Sequence, residues 1–151
     1  MEIERKFLIS NLPEDIETWA NRRIEQGYIC TEPVLRIRHS GDKYSFVYKS
    51  SGLLAHQEET FPLTEESYNH LATKVDGKMI KKTRYVRSIE NNLKIELDVF
   101  DNVYESDGSN LKMAEVEFPS VEDANAFIPP VWFGKDVTMD KKYHNSEMSK
   151  A

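Results

Sequence analysis

Polar and apolar residues alternate along much of this chain with a period of two, the repeat of a strand that buries one face. Over residues 2–9, Ile3, Phe7 and Ile9 share one face, and Glu2, Glu4 and Lys6 share the other. The same pattern predicts strands over residues 27–31, 34–40, 43–50, 53–61, 78–89, 92–103 and 111–118. Three segments carry helical spacing instead. One follows Pro13, has Glu14 and Asp15 in its first turn, repeats Ile16, Trp19, Ala20 and Ile24, and stops at Gly27. A second starts at Thr64, sets Tyr68, Leu71, Ala72 and Val75 on one face, and stops at Gly77. A third runs from Ser120 to about Ile128, with Ser120 and Asp123 spaced as a capping box and Pro129 as terminator. Gly41-Asp42 and Asn91-Asn92 are hairpin turns, and residues 107–110 a longer loop. Long runs of strands without helical crossovers favour antiparallel pairing, hence an α+β fold.

The polar faces of these strands are ionic. Arg36 and Arg38 oppose Leu35 and Ile37, and Lys43 and Lys49 oppose Tyr44, Phe46 and Tyr48. Lys82 and Arg84 share a face. Glu96 and Asp98 oppose Ile95, Leu97 and Val99, and Glu115 and Glu117 oppose Ala114, Val116 and Phe118. Two architectures fit. One is an open antiparallel sheet with its polar face in water. The other is a closed barrel of about eight strands, with the helices on its apolar outer wall and the charges inside. Same-sign pairs at two-residue spacing favour the second, because like charges side by side on a strand repel unless something binds between them. Such a lumen suits a polyanion with metal ions. Arg and Lys hold phosphate oxygens, and clustered carboxylates hold a hard cation such as Mg²⁺ or Mn²⁺.

Composition narrows the classes. The 151 residues include 20 Lys and Arg against 26 Asp and Glu, a net charge of −6, which disfavours general nucleic-acid binding. The length predicts a single domain over residues 1–151. No apolar run approaches the ~20 residues of a membrane span. Met1-Glu2-Ile3-Glu4-Arg5-Lys6 carries acid where a signal peptide needs an apolar segment, so the expected location is cytoplasmic, without a membrane partner. The lone Cys30 gives neither an intramolecular disulfide nor a cysteine metal site. His39, His56, His70 and His144 share no metal spacing and read as surface or packing residues.

The ordered set of motifs resembles the CYTH superfamily, the triphosphate tunnel metalloenzymes. Glu2-Ile3-Glu4-Arg5-Lys6-Phe7 fits its N-terminal Glu-x-Glu-x-Lys signature. It is followed by Val34-Leu35-Arg36-Ile37-Arg38, Lys82-Thr83-Arg84-Tyr85, Glu96-Leu97-Asp98, Glu115-Val116-Glu117 and a C-terminal run from Val137 to Asn145. The resemblance implies a closed eight-stranded antiparallel β-barrel, a tunnel with helices packed outside, acting on a triphosphate with Mg²⁺ or Mn²⁺. It implies a metal set of Glu2, Glu4, Glu115 and Glu117 with Glu96 and Asp98 nearby. It implies phosphate contacts from Lys6, Arg36, Arg38, Lys49, Lys82, Arg84 and Lys142, and a catalytic pair of Lys82 and Tyr28. The match departs from the pattern at Thr60, beside Glu58, where an acid is common, and at Lys142, where arginine is common.

The activity the resemblance implies is hydrolysis of inorganic triphosphate. Three alternatives stay open: a nucleoside or thiamine triphosphatase, an adenylate cyclase, and a polyphosphate-binding module without catalysis. The sequence assigns neither an oligomeric state nor which of Lys141 and Lys142 faces the tunnel.

Overall fold

A computed structural model describes residues 1–150. Nine strands and three short helices follow one another as β1 (Glu2–Leu8), β2 (Ala20–Thr31), β3 (Val34–Ser40), β4 (Lys43–Lys49), β5 (Ala55–His56), β6 (Glu58–Leu63), α1 (Glu65–Ala72), β7 (Asp76–Ser88), β8 (Lys94–Tyr104), β9 (Asn110–Glu117), α2 (Val121–Ala126) and α3 (Asn145–Met148). All pair antiparallel in one sheet of order β5-β1-β9-β8-β7-β2-β3-β4-β6. The two outermost strands, β5 and β6, are separated in the chain by Gln57 alone. They act as one bent strand that pairs with β1 on one side and β4 on the other, so the sheet closes on itself. Counted that way the barrel has eight staves, as the alternation predicts. The predicted strand over 53–61 is this bent piece, shifted towards Leu63.

The first predicted helix is not there. Only Ile16–Thr18 makes a helical turn, and Ala20–Thr31 is a strand hydrogen-bonded to β3 and β7. The spacing of Ile16, Trp19, Ala20 and Ile24 mimics a helix because Trp19 and Ile24 belong to different structures. Trp19 packs against Trp132 on the outer wall, whereas Ile24 sits in β2 opposite Ser40 and Lys82. Pairing on both sides outweighs local periodicity. The second helix does start after its Thr64 cap, whose side chain accepts from Ser67 N, but it ends at Ala72, and β7 begins at Asp76. The Gly41 and Asn91-Asn92 turns take the positive φ such turns require.

Outward-facing Ile3, Phe7, Ile95, Leu97 and Val116 form one core with Phe133 and with Ala124 of α2. Inside the barrel the side chains divide along its length. Glu4, Lys6, Arg84, Asp98 and Glu115 are buried charges. Past Lys82, Asp98 and Glu115, the inward rows of β7, β8 and β9 continue as Ile80, Phe100 and Met113. With Tyr28, Leu111 and Met148 these make a second apolar cluster. The lumen is therefore charged towards one end and filled by apolar side chains towards the other. α3 packs beside that apolar fill. Gly77 permits its close approach: φ is +70°, a Cβ there would collide with Ser149 O, and Lys78 N donates to that oxygen at 2.8 Å. No helix among the described residues is long and apolar enough to cross a membrane.

Candidate active site

Strand register brings the predicted residues together. Lys6 pairs with Glu115, Glu4 with Glu117, Glu96 with Glu115 and Arg84 with Asp98 across neighbouring strands, so their side chains share the inner face. Glu2, Glu4, Lys6, Arg36, Arg38, Lys49, Arg84, Glu96, Glu115 and Glu117 line one small cavity of about 80 Å³, together with Glu58 and Asn145. A neighbouring cavity of about 60 Å³ shares Glu4, Lys6, Arg36, Lys49 and Asn145 and adds Tyr28, His56 and His144. Two wider cavities carry no comparable charge cluster: one of about 600 Å³ beside Arg5 and Lys135, and one of about 350 Å³ lined by Tyr104, Leu111 and Met148 at the apolar end.

The cations are not equivalent. Arg84 is neutralised: its Nε and Nη2 hold both oxygens of Asp98 at 2.8 and 3.0 Å, and its Nη1 reaches Glu96 at 3.2 Å. Lys82 Nζ is 2.8 Å from Asp98 Oδ2 and 3.3 Å from Asn145 Oδ1. Both Asp98 oxygens are therefore engaged by cations. Burial pulls the Lys82 ammonium down; Asp98 offsets part of this, and Arg84 and Arg38 add to it, leaving the group at about 7. Lys6 lies 3.7 Å from Glu115 and 3.9 Å from Glu4.

Arg38 and Arg36 are different. Arg38 donates to the neutral Gln26 Oε1 at 2.9 and 2.6 Å, which orients the guanidinium while leaving its charge uncompensated. Arg36 is 4% exposed and reaches only as near as 3.7 Å to Glu58, and its Nε has no partner among the described residues. A buried guanidinium N–H without a partner calls for an acceptor, and an anion in the lumen would supply one.

The carboxylates are crowded to match. Burial, then the neighbouring Glu115, pushes Glu4 up to about 7. Glu115 stays well below the usual range despite burial, because Lys6, Arg84 and Lys82 surround it. Burial, then Glu2 and Glu96, raises Glu117. Hard oxygen donors packed until they repel fit a divalent cation. Glu2, Glu4, Glu115 and Glu117, with Glu96 at the edge, are the residues that would hold it.

Three predicted residues sit elsewhere. Lys82 and Asp98 lie behind the cavity rather than on its wall, with Asn145 between Lys82 and the lumen. Lys142 is not on the charged cavity: in the turn Lys141–Tyr143 its Nζ lies 5.2 Å from the Tyr143 ring, on the wall of the cavity at the apolar end. Tyr28 does reach the lumen, its hydroxyl 3.4 Å from Gln26 Nε2. Sequence reasoning missed Gln26, His56 and Asn145. Gln26 falls in the mistaken helix, and Asn145 in a segment with no periodicity. His56 is revealed by pairing with Glu2, its Nε2 2.8 Å from Oε1.

The CYTH domain pattern matches residues 1–144 of this chain. The chain belongs to the CYTH family. Among CYTH relatives, the inorganic triphosphatase of Nitrosomonas europaea is 39% identical over 151 residues, covering 98% of this chain and 96% of the relative. The inorganic triphosphatase of Acetivibrio thermocellus is 32% identical over 155 residues, covering 99% and 93%. The crystal structure of the inorganic triphosphatase NE1496 superposes with a TM-score of 0.72 at 34% identity, covering 100% of this chain and 95% of that one. This fold is thus shared with that triphosphatase along the whole of this chain.

Proposed function

We propose that this chain is an inorganic triphosphatase whose charged lumen takes up triphosphate with Mg²⁺ or Mn²⁺ and releases phosphate and pyrophosphate. The observation that carries this reading is the split inside one barrel: Arg38, without a charged partner, and Arg36, with its unmatched Nε, face crowded glutamates on β1 and β9 from β3. The curated relatives named inorganic triphosphatase, similar along nearly the whole chain, support it.

Water attacks the terminal phosphorus, and the anhydride P–O bond breaks towards the pyrophosphate oxygen. Arg36, Arg38, Lys6 and Lys49 hold phosphate oxygens and stabilise the charge that shifts onto the leaving group. A bound divalent cation supplies Lewis acidity and lowers the pKa of water. Lys82, near 7, matches the requirement for a base at neutral pH and takes the proton of the attacking water. It does so once the Asn145 side chain turns aside. Asp98 fixes the amine, and Tyr28 orients the chain of phosphates beside Gln26.

Phosphate release from triphosphate, pyrophosphate, ATP and thiamine triphosphate, each with Mg²⁺, Mn²⁺ or EDTA, tests the reading. Metal-dependent turnover fastest on triphosphate is expected. Faster turnover of ATP or thiamine triphosphate replaces the substrate, and absence of turnover on all four reduces the chain to a binding module.

A further inference from the structure

His56 is buried, 6% exposed, on the two-residue strand that closes the barrel. It stands opposite Glu2 in register, and Glu58 follows two residues later on the same side of the bent strand. One ligand atom each from Glu2, His56 and Glu58 lies within 4.8 Å of the other two. Glu2 Oε1 receives His56 Nε2 at 2.8 Å and Lys49 Nζ at 3.3 Å. No hydrogen bond among the described residues reaches the other Glu2 oxygen or either oxygen of Glu58, whose nearest cation is Arg36 at 3.7 Å. Two carboxylates with free lone pairs thus converge on an imidazole. Its imidazole sets this group apart from the all-oxygen set of Glu4, Glu115 and Glu117, with which it shares Glu2.

We propose that Glu2, His56 and Glu58 form a second cation position, which shares Glu2 with the carboxylate set, has one nitrogen donor, and takes Mn²⁺ or a later first-row ion in preference to Mg²⁺. The proposal rests on the reading that the lumen binds divalent metal with triphosphate. Mg²⁺ is best served by oxygen donors, whereas first-row transition ions accept imidazole nitrogen readily. To coordinate, His56 gives up the Nε2 proton it shares with Glu2 and carries its hydrogen on Nδ1. Lys49 and Arg36 compete with the cation for the same carboxylates. An anion that draws both cations to itself removes that competition, so metal and triphosphate bind here with positive coupling.

The test is made on the full chain without substrate. Mn²⁺ is titrated by electron paramagnetic resonance, and pulsed measurements look for nitrogen modulation from a directly bound imidazole. Wild type is expected to show it. His56→Gln is expected to remove it and to weaken Mn²⁺ binding about tenfold or more, while Mg²⁺ binding, read by competition, changes much less. Glu58→Gln is a second variant with the same expected loss of Mn²⁺ affinity and serves if His56→Gln melts early. A wild-type spectrum without bound nitrogen, or nitrogen modulation surviving in His56→Gln, overturns the proposal and leaves His56 as a hydrogen-bond donor to Glu2. Because no triphosphate is present, this result is independent of turnover. Absence of triphosphate hydrolysis by wild type with Mg²⁺ overturns the functional reading instead.

Discussion

Lys82 Nζ lies 2.8 Å from Asp98 Oδ2 with both side chains almost wholly out of solvent, and the pair is lopsided. Asp98 also holds Arg84 through two hydrogen bonds, so it serves two cations, whereas Lys82 has Asp98 as its one charged partner within 4 Å among the described residues. Removing one member is therefore unlike removing the other. Asp98→Asn leaves buried Lys82 without a charged partner and Arg84 with Glu96 alone, and is expected to lose about 3–5 kcal/mol of stability by urea unfolding. Lys82→Met fills the same volume, leaves Asp98 paired with Arg84, and is expected to melt near wild type. Its kcat should fall about a hundred- to a thousandfold, the effect of losing roughly 2.7–4 kcal/mol of transition-state stabilisation.

The depressed pKa of Lys82 sets a pH dependence. Below about 7 the group is an ammonium and cannot accept a proton; above it the free amine predominates. kcat/KM for triphosphate should therefore rise with pH through this region and level off. Asn145→Ala opens Lys82 to water, relieves the burial that lowers it, and moves the rising limb to higher pH. A profile that stays put in Asn145→Ala removes Lys82 as the titrating base.

Metal dependence follows from the glutamate crowding. Excess EDTA should abolish turnover. Glu4→Gln and Glu115→Gln should each lower it at least a hundredfold at fixed Mg²⁺, and triphosphate should no longer raise the melting temperature of either variant much. Ca²⁺ should inhibit, since its larger and looser shell misplaces the phosphates.

Arg36 offers a sharper probe of the anion site than total charge does. Arg36→Lys keeps the cation but loses the fork and the unmatched Nε. KM for triphosphate is expected to rise about tenfold or more, in line with roughly 1.5–3 kcal/mol for a hydrogen bond to a charged group. Stability should hold, because that nitrogen satisfies nothing in the free protein. Equal KM values for the two proteins would remove Arg36 from the phosphate contacts.

The barrel interior was legible because strand geometry maps sequence parity onto the two faces without intermediaries. Glu2, Glu4 and Lys6, or Glu96 and Asp98, need only alternate to point inward. Position along the barrel axis has no such signature. The same parity that puts Lys82 inside does not tell that Asn145 covers it, nor that Ile80 and Phe100 close the lumen behind it. The first half of β2 was misread because residues from two structures, Trp19 and Ile24, fell at helical spacing. The resemblance assigns Lys142 to a motif but not to a place, and the structure sets it on the turn Lys141–Tyr143, off the charged cavity. His56 gave no signal at all, since its partner Glu2 is 54 residues away and joined to it only by register.

Closure by a bent strand at Gln57 also shapes how this protein is made. β1 and its main partner β9 stand far apart in the sequence, and its other neighbour is the two residues of β5. At roughly 5–20 residues per second, β1 waits on the order of 5 to 20 s before residues 110–117 exist to pair with it. Until then β1 has at most the two residues of β5 beside it, and its glutamates and lysine stand in water. The final register forms only when β9 meets β1. Folding should accordingly be slow for this length, on the millisecond-to-second scale of chains dominated by distant pairings. Translation order favours the β2-β3-β4 meander as the scaffold on which the rest assembles.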